Sequence, residues 1–197
     1  MMFWDASAII PLCLKEPRSP LAKKIAVRDG SIVAWWATPI ECFSAFARLR
    51  REGILTTDGE QRARRILSRL ATEWTEVQPG NKLREGAARA LLLHPLRAAD
   101  SLQLSAALVW TAGRPSGHPF VCLDSRLREA ALREGFAVLP EKMLQTARDP
   151  QRLRNGPRGR GTPFGFLAGA GCPASSPGHR EASVTTRGSS PATHFRD

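Results

Sequence analysis

The sequence predicts an α/β domain built on a central, mostly parallel sheet, and three observations carry that expectation. Five short apolar runs (Met2–Trp4, Ser31–Trp36, Trp74–Val77, Phe120–Leu123 and Phe136–Leu139) are each parted from the next by one or two helix-length segments. The segment from Arg97 to Trp110 is apolar or small on nearly every face, as a helix enclosed by a core must be. With 197 residues and 42% apolar content, the chain is long enough for one domain with a substantial interior.

The elements follow in order. Met2–Trp4 is a strand that delivers Asp5 at its C-terminal end, after which Ala6-Ser7-Ala8 leads into a helical IIPLCL. Pro17 and Pro20 frame a second helix to about Val27, and Asp29-Gly30 signals a turn. Ser31–Trp36, apolar and partly β-branched, reads as a buried strand. Thr38-Pro39-Ile40-Glu41 opens a helix to Glu52 with the features of a capping box: Thr at the cap, Pro at the first helical position and Glu three residues after the cap. Thr57-Asp58-Gly59-Glu60 repeats the box and opens a helix to Ala71. Trp74–Val77 is a short strand, and Lys82–Leu93 is a helix burying Leu83, Ala87, Ala90 and Leu91.

The apolar helix comes next. Ala99, Leu102, Ala106 and Val109 form one stripe and Leu104 and Leu108 a second, while Ala98, Ser101, Ser105 and Ala107 leave room for other backbones to approach. Gly113–Pro119 is a loop, Phe120–Leu123 a strand ending in Asp124, Ser125–Glu134 an amphipathic helix closed by Gly135, and Phe136–Leu139 the last strand. Residues 141–147 extend the pattern by a helical turn or two.

From Arg148 the composition changes. Residues 145–197 hold 8 Gly and 6 Pro and lose apolar periodicity, so residues 148–197 are expected to be a disordered basic tail following a domain at residues 1–147. Of the net charge of +11, residues 145–197 contribute +5. A basic balance on both parts favours a polyanionic partner, nucleic acid first. The four cysteines (Cys13, Cys42, Cys122, Cys172) are scattered without a CxxC pair or a histidine cluster, which argues against a zinc site or a disulfide framework. Cys42 and Cys122 read as small core residues. MMFWDASAII has no basic n-region and no long apolar run, and no segment approaches the roughly 20 apolar residues of a membrane span, so a soluble cytoplasmic protein is expected.

Four acids stand out by position. Asp5 and Asp124 each end an apolar strand, while Glu41 and Asp100 each lie in the first turn of a helix. In an open α/β sheet these places share the edge where ligands bind. Each acid also has an ordinary structural use: Asp5 and Asp124 as helix caps, Glu41 in its box, and Asp100 against a helix dipole. Four carboxylates meeting at one edge would repel one another, and a divalent cation resolves that repulsion; an all-oxygen set suits Mg²⁺ or Mn²⁺.

The segments FWDASAII, TPIECFSAFARL, HPLRAADSLQLSAAL and FVCLDSRLREAALREGF resemble the four acidic motifs of the PIN domain, and in particular those of the VapC-type toxin ribonucleases of toxin–antitoxin pairs. The resemblance spans residues 2–140. It implies a three-layer α/β/α fold around a parallel sheet, and a Mg²⁺- or Mn²⁺-dependent endoribonuclease hydrolysing RNA phosphodiester bonds. By motif, Asp5, Glu41, Asp100 and Asp124 match the acidic cluster, with Asp5 and Asp100 as direct metal ligands. Ser7 matches the hydroxyl residue two after the first acid. Cys122 stands where the fourth motif often carries Thr. Arg97 is an accessory candidate for substrate phosphate, with a solvated arginine at a helix start as its plainer reading. The resemblance further implies an antitoxin partner covering the acidic cleft, and a homodimer or toxin–antitoxin hetero-oligomer with the helices at 38–52 and 57–71 as contact faces. It does not extend to the tail.

His94 reads as a loop or packing histidine, and the tryptophans as mainly structural, with Trp35-Trp36 the one pair placed to stack on a base. The first rival reading is a PIN-like RNA-binding module without cleavage activity, against which stands the retention of all four acids. An aspartyl-phosphate phosphatase of the haloacid-dehalogenase kind needs a second Asp where this chain has Ser7. A receiver domain needs paired acids by the first strand. A dinucleotide fold needs a glycine-rich turn after that strand, and none is present.

Overall fold

The computed structural model describes residues Met1–Glu141. Within them the chain runs β1 (Met2–Trp4), α1 (Ala6–Cys13), α2 (Ser19–Arg28), β2 (Ile32–Trp35), α3 (Thr38–Arg51), α4 (Thr57–Ala71), β3 (Thr75–Val77), α5 (Asn81–Leu93), α6 (Ala98–Trp110), β4 (Pro119–Val121), α7 (Ser125–Glu134) and β5 (Ala137–Leu139). The strands form one five-stranded sheet in the order β3-β2-β1-β4-β5. Every neighbouring pair is parallel, so the expectation of a mostly parallel sheet becomes an entirely parallel one.

Successive strand side chains point to opposite faces, and the inner strands bury both. Met2, Trp4, Ile32, Ala34 and Val121 join one apolar cluster with Ile9 of α1, Cys42 and Phe46 of α3, and Ala63 and Leu67 of α4. Phe3, Val33, Trp35 and Phe120 join a second cluster with Leu83 of α5, Leu104 of α6 and Leu127 of α7. Helices on both faces make this a three-layer α/β/α domain, the architecture the motif resemblance implies. Trp4, Phe3, Phe46 and Phe120 are wholly enclosed, each stabilising the fold by about 1.5–3 kcal/mol relative to exposure.

Helix α6 is the core helix expected: Ser101 and Gln103 through Ala107 are buried, and Leu102 and Leu108 to Trp110 are half-buried. Ala99, placed by periodicity in a buried stripe, is exposed because the helix enters the core only after its first turn. The close approach predicted for its small residues occurs against α5. Ser105 Oγ donates to the Leu83 carbonyl at 2.7 Å, and a Cβ on Gly86 would lie 2.4 Å from that hydroxyl.

Several local expectations are corrected. The box at Thr38 does not form. The cap is Ala37, without a side-chain cap bond, and Thr38 is the first helical residue, fully buried. The second cap is Thr56, whose hydroxyl accepts the Gly59 N–H at 3.1 Å, one residue earlier than the motif placed it. Glu60, thereby released, pairs with Arg50 and Arg64 at 2.7 Å each and ties α3 to α4. Leu91 is exposed, since α5 turns its Leu83–Ala87–Ala90 face inward. The fourth strand ends at Val121, although the Cys122 N–H still donates to the Leu139 carbonyl at 3.0 Å; beyond it the Leu123 N–H turns to the Ser7 hydroxyl. Helix α7 closes at Gly135, whose φ of 101° lets its N–H reach the Ala131 and Leu132 carbonyls.

No helix among the described residues is long and apolar enough to cross a membrane. The expected tail at residues 148–197, and the helical turns expected up to residue 147, lie outside the described residues.

Candidate functional site

The strand order reverses at β1. Its chain successors β2 and β3 lie to one side, and β4 and β5 to the other. Open parallel sheets bind ligands at the carboxyl ends of the strands flanking such a point, and the four acids singled out by the sequence stand around it.

Asp5 directly follows β1, is 4% exposed and caps α1. Its Oδ2 accepts the Ser7 N–H at 2.9 Å, the Ser7 hydroxyl, and the Cys122 thiol at 3.5 Å. Burial pushes its carboxyl above the usual range, against the pull of these donors, and the Asp100 charge pushes it further. Ser7 does more than orient Asp5. Its Oγ accepts the backbone N–H of Leu123 at 2.8 Å and of Asp124 at 3.2 Å, so one hydroxyl joins the end of β1 to the loop after β4. The sulfur at Cys122 keeps a contact to Asp5, longer than a hydroxyl would make.

Asp124 is exposed and caps α7, its Oδ1 accepting the Arg126 and Leu127 N–H groups at 2.9 and 3.0 Å. Asp100, in the first turn of α6, is half-buried, and its Oδ2 accepts the Arg97 N–H at 3.3 Å. Desolvation raises its carboxyl, and the Asp124 charge adds to this, against the Arg97 N–H and the charges of Arg97 and Arg126. Glu41, on the first turn of α3, is half-buried and accepts Gln103 Nε2 at 3.0 Å. Desolvation drives its carboxyl up to about 7, aided by the charges of Asp5 and Asp100 and opposed by the Gln103 bond.

The coupling of Asp5 to Asp100, of Glu41 to both, and of Asp100 to Asp124 brings all four within one electrostatic neighbourhood. None of them enters a salt bridge among the described residues. They are not closed into a coordination shell: among the described residues, no three His, Cys, Asp or Glu side chains stand together as a ready metal cage. The donor chemistry nevertheless fits a hard divalent cation. All four groups are carboxylates, and burial and mutual repulsion penalise the charged forms of three. Mg²⁺ also keeps several waters and needs only one or two direct carboxylates, so an open set suffices.

Arg97 and Arg126 are exposed at the starts of α6 and α7. His94 is the packing histidine expected: it is buried, with Nε2 2.8 Å from Glu134 Oε1. Two contributors escaped the sequence reading. Gln103 is 1% exposed, and besides Glu41 its Nε2 reaches Thr38 Oγ1 at 3.4 Å, tying the core helix to the start of α3. A glutamine inside an apolar stretch was the available signal. Arg128, buried on α7, donates to the carbonyls of Cys122 at 2.8 Å and Leu139 at 3.0 Å and to that of Pro140, fixing the strand ends beside Asp124. Nothing in an amphipathic helix marks one arginine as buried.

The chain matches no family model and no curated protein. Among solved structures it is similar to a chain of FitAcB from Neisseria gonorrhoeae at 15% identity, with a TM-score of 0.48, covering 70% of this chain and 96% of that one.

Proposed function

We propose that the chain is a divalent-metal-dependent endoribonuclease, the toxin of a type II toxin–antitoxin pair, using Mg²⁺ or Mn²⁺ held by Asp5, Glu41, Asp100 and Asp124. The observation that carries the reading is the meeting of these four carboxylates at the carboxyl edge of β1 and β4, without a salt-bridge partner among the described residues. When bound, the cation supplies charge for the scissile phosphate and lowers the pKa of a water.

The chain's own residues do the rest. Ser7 and the start of α1 fix Asp5, and through Leu123 and Asp124 the same hydroxyl keeps the β4–α7 loop in register with it. Gln103 holds Glu41 facing the other acids. Asp100 and Asp124 are held at helix starts, where backbone N–H groups steady their oxygens. Arg97 and Arg126, one on each of those starts, are placed to receive the phosphates on either side of the cut. A basic chain then draws in the polyanion. The antitoxin partner, the oligomer and the cytoplasmic location belong to the same reading.

The test is cleavage of a panel of RNAs by purified protein with Mg²⁺ or Mn²⁺ and with EDTA, beside Asp5→Asn and Asp100→Asn variants. Metal-dependent cutting lost in both variants supports the proposal. Folded protein that binds neither ion refutes it and promotes an RNA-binding module without cleavage activity, a reading favoured by the open spacing of the acids. In cells, growth arrest on expression, relieved by Asp100→Asn, tests the toxin assignment.

A further inference from the structure

The turn after β2 and the start of α3 carry exposed apolar side chains. Of the chain's five tryptophans, Trp36 alone is exposed, at 51%, and Ile40, one turn on, is 64% exposed. Exposed apolar side chains that adjoin one another at a ligand-binding edge are candidates for a contact surface. The position of Trp36 relative to the acids is set by the sheet. β1 and β2 pair with Phe3 level with Val33, so counting on along both strands puts Asp5 level with Trp35. Trp36 therefore follows the end of β2 as Asp5 follows the end of the adjoining β1. It lies at the same carboxyl edge and immediately before the helix that carries Glu41.

The ring is also held. The Trp36 N–H donates to the Val77 carbonyl at 3.1 Å, which anchors the backbone to the end of β3. Its indole meets the buried Trp35 edge-on, with centroids 6.2 Å apart and planes at 66°. Trp35 fills the core beneath, so the ring that Trp36 meets is fixed by packing, while Trp36 itself is half open to solvent. Arg97 and Arg126 form no salt bridge with Asp or Glu among the described residues. In the sheet order Trp36 follows β2, Asp5 follows β1, and Asp124 and Arg126 follow β4, so the tryptophan and this arginine lie on opposite sides of Asp5.

That combination matches the chemistry of single-stranded nucleic acid, whose phosphates pair with arginine while its unpaired bases stack on aromatic rings. A duplex hides its base faces and gains nothing from the indole. We infer that Trp36 is a stacking platform for an unpaired base next to the scissile phosphate. The inference rests on the ribonuclease reading above. Ile40 extends the apolar surface, and Trp36 sets which stretch of an RNA is cut without reading a particular base edge.

The experiment measures binding in EDTA, where no cutting occurs, of single-stranded oligoribonucleotides of about ten nucleotides. The probes are oligo(A), oligo(C), oligo(U), a matched duplex, and an oligomer with abasic residues in place of its bases. Wild type, Trp36→Ala, Trp36→Leu and Trp36→Phe are compared by tryptophan fluorescence and by a label on the RNA. The expected result is quenching in wild type and a loss of affinity on the order of 10- to 100-fold in Trp36→Ala and Trp36→Leu, with Trp36→Phe close to wild type. The preference of wild type for the base-bearing over the abasic oligomer should vanish in Trp36→Ala, which a merely structural role would not produce.

The inference is overturned if Trp36→Ala binds and cuts single strands as wild type does, whether because duplex is preferred or because the indole is a protein contact. In that case wild type still cleaves RNA with Mg²⁺, and the ribonuclease reading survives. Wild type that neither binds nor cuts RNA overturns both.

Discussion

Replacing Glu41 by Gln should stabilise the metal-free protein while abolishing its activity. Desolvation, with the charges of Asp5 and Asp100 behind it, holds the Glu41 carboxyl at about 7 in the folded chain, against an ordinary value of 4.5. Between those values the folded state keeps a proton that the unfolded state has released, so stability falls as pH rises through that window. Above it the deficit is complete. A shift of that size corresponds to about 3 kcal/mol at 1.36 kcal/mol per pH unit. Glutamine has the same shape, cannot ionise, and still offers an oxygen to Gln103 Nε2. In EDTA the two proteins should therefore unfold at the same urea concentration near pH 4.5, while at pH 8 the variant should unfold later, by on the order of 1–2 M. Excess Mg²⁺ should narrow the gap by stabilising wild type. Equal midpoints at both pH values, or a variant less stable at pH 8, would refute the assignment of a buried, repelled carboxylate. A variant that still cleaves RNA would remove Glu41 from the machinery.

Other perturbations probe the supports. Gln103→Leu should leave the domain folded by circular dichroism but lower cleavage on the order of 10–100-fold, because Glu41 loses the donor that orients it; unchanged cleavage would make the bond incidental. Arg128→Ala strips donors from the carbonyls of Cys122, Leu139 and Pro140, and thermal unfolding should report a loss of about 2–5 kcal/mol. Gly86→Ala drives a methyl group into Ser105 Oγ, and denaturant unfolding should show it destabilised by about 1–3 kcal/mol. Gly30→Ala, in the loop before β2 where a Cβ meets nothing within 4 Å, is the control with little effect.

The parts of the fold legible in the sequence were those fixed by period and termination. Met2–Trp4, Ser125–Glu134 and Gly135 are specified by local pattern alone, and each is found where the pattern puts it. The parts that were not legible depend on partners distant in the chain. Thr38-Pro39-Ile40-Glu41 satisfies every local requirement of a capping box, yet Gln103, more than sixty residues away, binds both Thr38 and Glu41. Local chemistry offered Glu41 an N–H of its own, and the core helix offered one from outside. Burying Thr38 against the core settled the competition. The same logic explains Glu60, which local spacing assigned to a cap and which Arg50 and Arg64 claim instead.

At Asp5 and Asp124 a capping role and a ligand-binding role are compatible. Both cap helices in the structure, and both stand at the carboxyl edge beside the switch in strand order. The N-terminus of a helix turns its free N–H groups toward the end of the preceding strand, so a carboxylate there is steadied by one oxygen. For Asp124 that is Oδ1, to which both cap donors go, and no donor is found on Oδ2 among the described residues. At Asp5 the donors go instead to Oδ2, and no donor is found on Oδ1 among the described residues. Capping uses up one half of each carboxylate and fixes the direction of the other. An acid held this way carries little rotamer entropy into a ligand complex, which is why a capping position is a good one from which to reach a shared ligand.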